Sequence, residues 1–238
     1  MNFVTSWDDG HPKDQRIADL LFEFGLNGTF YIPISNKESK PVMNISTIRE
    51  LDKKFEIGSH TYDHSYLLGM SKKECSDQIQ HGKDQLEQIL GHEVKGFCYP
   101  GGKYSNSIIQ VVKESGFEYA RTIENLSLDS GEDRWKIPTT LQFYPHNNLV
   151  LLKNYIHHGN YINKYPIINA AIKSKNFMDF LLRIIEITAD TESILHIWGH
   201  SWEIDKLNLW VELRSFLKSI STLKPRVSTV YELSKKIN

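Results

Sequence analysis

The chain of 238 residues carries 28 Lys and Arg against 29 Asp and Glu, a formal net charge of -1, and 40% of it is hydrophobic. That balance offers no polyanion-binding face, so neither nucleic acid nor an anionic membrane surface is expected as a partner. The length suits one domain, 1–238, with a full core; no window approaches a membrane span and no leader precedes the first strand-like run, so a cytoplasmic location is expected.

The first element is the apolar run Phe3-Val4-Thr5-Ser6-Trp7, which ends in Asp8-Asp9-Gly10. Adjacent carboxylates repel each other, so a strand ending in such a pair needs a cation, a donor network or water. Asp14 to Phe24 places Ile17, Leu20, Leu21 and Phe24 at helical spacing, and Gly25 closes that helix. Gly28 to Pro33 reads as a second strand, Ile45 to Lys54 as a helix and Phe55 to His60 as a third strand. Lys72 to Leu90 is a longer polar helix ended by Gly91, and Val94 to Pro100 a fourth strand running into a Pro-Gly-Gly turn. A short helix over Asn106 to Ser115 and a fifth strand over Phe117 to Thr122 continue the alternation, which predicts parallel strands joined by helical crossovers.

From Glu124 to about Lys175 the pattern is interrupted, and loops with short strands are expected, Trp135 to Pro138 among them. Phe177 to Ala189 predicts an apolar helix, Ser193 to His200 a buried strand, Leu207 to Ile220 a helix, and Val227 to Val230 an extended piece before a short terminal helix. Cys75 and Cys98 lie in different contexts and read as free buried thiols.

The chemistry collects at the C-terminal ends of the predicted strands: Asp8, Asp9, His60, the Pro100-Gly101-Gly102 turn, Arg121 and His200. In barrels and open parallel sheets that edge is where sites form. His60 and His64 are four residues apart and share a face if the chain turns helical after Ser59. With Asp9 they supply two imidazole nitrogens and one carboxylate oxygen, a three-ligand set that leaves positions open as a catalytic metal requires.

These motifs resemble the polysaccharide deacetylases, the NodB-homology or carbohydrate esterase family 4-like superfamily. The family's Thr-Phe-Asp-Asp-Gly corresponds to Ser6-Trp7-Asp8-Asp9-Gly10, which follows Thr5, and its His-Ser/Thr-x-x-His to His60-Thr61-Tyr62-Asp63-His64. The resemblance implies a distorted α/β barrel of about seven parallel strands, and removal of the N-acetyl group of an amino sugar or glycan precursor with release of acetate. Asp9, His60 and His64 would then hold a divalent metal, zinc foremost and cobalt, nickel or iron as the other candidates, with Asp8 the base. His200 would be the late histidine that protonates the leaving amine. His196 follows Leu195 as the late motif asks, but His200 lies about 13 Å further toward the C-terminal edge, and His196 reads as a core histidine. The Gly101 amide matches the oxyanion position.

The third motif departs from the family: Cys98-Tyr99-Pro100-Gly101-Gly102 has cysteine where an arginine normally orients the catalytic aspartate, and Arg121 is its candidate replacement. Tyr99, Trp135, Trp202 and the Tyr144 region are candidate walls for a sugar ring, with core packing the competing role. His157 and His158 read as surface residues rather than a second metal pair. The alternatives to deacetylation are a related C-N hydrolase acting on a non-sugar amide or cyclic imide, and a carbohydrate-binding pseudoenzyme on the same fold, which the Cys98 departure favours.

Overall fold

The computed structural model describes residues 1–157 and 161–237. In chain order the first half holds β1 (Asn2–Asp8), α1 (Asp14–Glu23), β2 (Thr29–Ile32), α2 (Ile45–Asp52), β3 (Glu56–Ser59), α3 (Lys72–Leu90), β4 (Gly96–Cys98), a 3-10 turn at Pro100–Gly102, α4 (Asn106–Glu114) and β5 (Tyr119–Arg121). The second half holds β6 (Leu141–Gln142), α5 (Asn148–His157), α6 (Tyr161–Lys173), α7 (Phe177–Thr188), β7 (Ile194–Gly199), α8 (Ser201–Lys206), α9 (Trp210–Thr222), β8 (Arg226–Val227) and α10 (Val230–Ser234).

The strands form one parallel sheet in the order β5-β4-β3-β2-β1-β7-β6, with β8 against the start of β1, and it curls into a distorted (β/α) barrel. β1 sits inside it, between β2 and β7, and is buried along its whole length, as a strand covered on both faces must be. The amphipathic stripes explain the cover: α1 buries Ile17, Leu20 and Leu21, and α3 buries Ile79 and Leu86, each such side chain contributing about 1.5–3 kcal/mol. α3 starts at a Ser71/Glu74 capping box and stops at Gly91, whose φ of 81° no β-branched residue would accept.

Register brings the expected edge together. Asp8 pairs with Tyr31, Trp7 with Gly199, Ile32 with Ser59 and Cys98 with Arg121, so the residues that end each strand or follow it face one rim.

Three expectations are corrected. The stretch from Glu124 to Lys175 is not mainly loop, because α5 and α6 occupy much of it, and α6 carries Pro166 in its interior. Trp135 to Pro138 forms no strand; Ile137 makes one isolated bridge to Arg121. The helix expected from Leu207 begins instead at Trp210, and the preceding α8 follows His200 directly. His158 and the His157 side chain lie outside the described residues.

Candidate active site

β1 delivers both carboxylates, but a strand alone would send neighbours to opposite faces. The strand therefore ends at Asp8, and Asp9 (φ 77°) and Gly10 (φ 59°) take left-handed backbone, which turns the chain and re-aims Asp9. Gly10 is required there, since a Cβ would lie 2.7 Å from Ile32 Cγ2.

Asp9 Oδ1 is buried and has no hydrogen bond. His64 Nε2 lies 3.1 Å from it and His60 Nε2 3.7 Å, and the three ligand atoms all fall within 4.8 Å of one another. The histidines do not meet on a helix, as their spacing suggested. Residues 60 to 66 form an irregular turn in which Thr61 (φ 66°) and His64 (φ 62°) are left-handed, and the rings come to 5.0 Å.

His60 Nδ1 donates to the Cys98 carbonyl at 2.8 Å, which leaves Nε2 as the lone-pair nitrogen facing Asp9. Burial pushes His60 down to about 4, so the ring is neutral near pH 7. Burial alone would raise the Asp9 carboxyl, but His64, His200 and His60 together outweigh it and hold it well below the usual range. Its second oxygen accepts from Trp202 Nε1 at 2.9 Å, and Lys40 Nζ lies 3.7 Å away. An orphaned carboxylate oxygen facing two imidazole nitrogens fits a divalent cation. His60→Ala is expected to abolish stoichiometric metal uptake, read by elemental analysis of the purified protein.

Asp8 is handled differently. Its Oδ1 is paired to Arg121 Nη2, and Arg121 is fully buried with its guanidinium between the rings of Tyr31 (5.0 Å) and Trp198 (5.2 Å). Cys98 Sγ is 3.8 Å from Asp8 Oδ2, and burial pushes that thiol well above its ordinary value, so it remains a thiol. Both cysteines are buried and unpaired.

His200 stands at the start of α8, where its Nδ1 donates to Glu203 Oε2 at 2.6 Å, leaving Nε2 free. Burial opposes its protonation, yet the Glu203 bond and the charges of Asp9 and Asp8 prevail and raise its pKa. His196 is separate: burial holds it down to about 3, its Nδ1 donates to the Pro138 carbonyl at 3.0 Å and its Nε2 accepts from Ser6 Oγ at 2.9 Å.

Of the remaining expected residues, Gly101 is exposed at the rim with φ 60°, and a Cβ there would meet the Tyr66 ring at 2.9 Å. Trp202 reaches Asp9 through its N–H. Tyr99 is no wall; it lies wholly in the core, packed on Phe97, with its hydroxyl donating to the Trp135 carbonyl at 3.1 Å. Trp135 packs under Lys113 of α4, and the Tyr144 ring packs at a tilt against His146, 4.7 Å between centroids.

Three residues were missed. Glu203 accepts from both His200 and Gln142 Nε2 (2.8 Å), and His146 Nε2 donates to Gln142 Oε1 at 2.9 Å. The His-x-x-Glu spacing after β7 is the one signal that could have identified Glu203; nothing local marks Gln142 or His146. Gln142 and His146 line a recess of about 440 Å³ with Gly102, Tyr104, Asn154 and Trp198.

Residues 3–120 match the polysaccharide deacetylase family model. A peptidoglycan-N-acetylglucosamine deacetylase of Bacillus cereus is 25% identical over 117 residues, covering 48% of this chain and 53% of the relative, so the match spans about half of that relative's length. Among solved structures, a family 4 acetyl xylan esterase from Clostridium thermocellum in complex with a cobalt ion aligns over 100% of this chain and 93% of its own at 15% identity and a TM-score of 0.61. A CE4 family pseudoenzyme from Bacillus anthracis aligns over 98% and 64% at 15% identity and a TM-score of 0.59. These structures share the fold, the family model spans both acidic and histidine motifs, and residues 3–120 of the chain belong to the polysaccharide deacetylase family.

Proposed function

We propose that this chain is a metal-dependent hydrolase that removes the acetyl group from an N-acetylated amino sugar or glycan precursor. The observation that carries the reading is the division of the acidic pair: Asp9 faces His60 and His64, while Asp8, one residue earlier, is held by Arg121. A divalent cation on Asp9, His60 and His64, with zinc the first candidate, would polarise the amide carbonyl and acidify a water.

The chain's own residues supply the rest. Asp8, steadied through one oxygen by Arg121, takes the proton from the attacking water. The Gly101 amide at the rim is the donor for the developing oxyanion. His200, whose pKa the Glu203 bond helps to raise, gives a proton to the departing nitrogen. Acetate and a free amine result.

Cysteine at position 98 favoured a pseudoenzyme that binds carbohydrate without turnover. Arg121 on the neighbouring strand brings a guanidinium to Asp8, which supports an enzyme instead. Acetate release from N-acetylhexosamine compounds, measured with and without added zinc or cobalt, is the test. Metal-dependent acetate is expected; ammonia or a ring-opened product without acetate would move the assignment to a non-sugar amide or cyclic imide.

Glu203→Gln bears on the acid. The hydrogen bond to Glu203 is one of the interactions that raise the His200 pKa, so its loss should lower that pKa. The protonated form is the active one and disappears as pH rises, so the alkaline limb of the kcat/KM profile is expected to move to lower pH.

A further inference from the structure

The near-neutral net charge conceals a segment of one sign. Between Asp133 and Asp179 the sequence has no Asp or Glu, and Lys153, Lys173 and Lys175 in this stretch are exposed. The same stretch forms α5 and α6, which carry the most continuous set of exposed large apolar side chains among the described residues.

On α5, Leu149 (76% exposed), Leu152 and Ile156 (60%) recur at three- and four-residue spacing, so they form one stripe; with Lys153 they line an open depression of about 340 Å³. On α6, Ile162 (88%), Tyr165 (59%) and Ile172 (67%) form a second stripe, opposite the buried Ile167, Ile168, Ala170 and Ala171. Single exposed apolar residues are ordinary; two stripes on adjacent packed helices are not. Tyr161 and Tyr165 have amphipathic rings of the kind that settles at a headgroup layer. Apolar stripes, interfacial tyrosines and lysines without a single carboxylate are the composition of an element that lies in a membrane surface.

We infer that the outer faces of α5 and α6 seat the protein on an anionic lipid bilayer. No helix of the described residues is long and apolar enough to cross a membrane, which fits an element that lies on the surface. α5 also contributes Asn154 to the recess beside Gln142 and His146, so docking through these two helices would bring that recess close to the lipid. The surface stands apart from the chemistry at Asp9, and its test needs no turnover.

The test is co-sedimentation of the purified full chain with vesicles of phosphatidylcholine alone and of phosphatidylcholine mixed with phosphatidylglycerol. Binding to the mixed vesicles is expected, weaker on the neutral ones and weaker in high salt. Leu149→Glu with Ile162→Glu should lower the affinity at least tenfold without moving the thermal melt, since both positions are exposed. Lys153→Glu with Lys173→Glu should lower binding to mixed vesicles only. No sedimentation with mixed vesicles, or unchanged binding by the apolar variant, would overturn the inference. A concentration-dependent dimer that the apolar variant dissolves, without vesicle binding, would overturn it in favour of a second copy as the occupant.

Discussion

Asp8→Asn is expected to lower turnover by about 10²–10⁴-fold, the usual contribution of a positioned base, while the protein still binds its divalent cation. Asparagine keeps the shape of aspartate and can still accept one bond from Arg121, so the site remains assembled; what it loses is the capacity to take a proton. Asp9, His60 and His64 are untouched, and elemental analysis should return the wild-type metal content. Asp9→Ala would remove both metal and turnover, and the contrast separates the roles of two adjacent carboxylates. Near wild-type turnover in Asp8→Asn would refute the assignment of the base.

Arg121→Met should be the most destabilising single change at the site, costing about 3–5 kcal/mol in urea unfolding, because it leaves the Asp8 carboxylate buried without its cation. Methionine fills the space between Tyr31 and Trp198, so the loss is mainly electrostatic. Adding Asp8→Asn to Arg121→Met removes the stranded charge and should recover most of the stability but none of the activity. If the double variant is as unstable as the single one, Arg121 acts through packing and not through its charge on Asp8.

Most of the first half of the fold was legible because its helices bury one stripe and solvate the other. α1, α2, α3 and α4 all show that contrast, and β1 to β5 fall between them. α5 and α6 defeat the same reading for a physical reason. α5 buries Leu151 yet exposes Leu149, Leu152 and Ile156, so it is apolar around much of its circumference and shows little helical period. Pro166 inside α6 reads as a breaker. The feature that hid these helices is the one proposed to meet a membrane.

At the site, the candidate ligand set could be read from Asp9, His60 and His64, but not the left-handed turns that converge them. The Cys98 departure was visible; that Arg121 would reach Asp8 depended on the register of β4 with β5, which no local pattern carries. Trp202 and Tyr99 show the limit for aromatic residues, since nothing in composition tells an indole bonded to a carboxylate from a ring packed in the core.

The placement of β7 beside β1 has a consequence in time. Ser6 and His196, which share a hydrogen bond, are separated by 190 residues, so at about 5–20 residues per second roughly 10–40 s of synthesis part them. Until β7 arrives, one edge of β1, the longest strand among the described residues, stays open to other chains. His200 and Glu203 follow β7, so a nascent chain already holding Asp9, His60 and His64 would lack the proposed acid, and the proposed chemistry would begin only after this edge had closed.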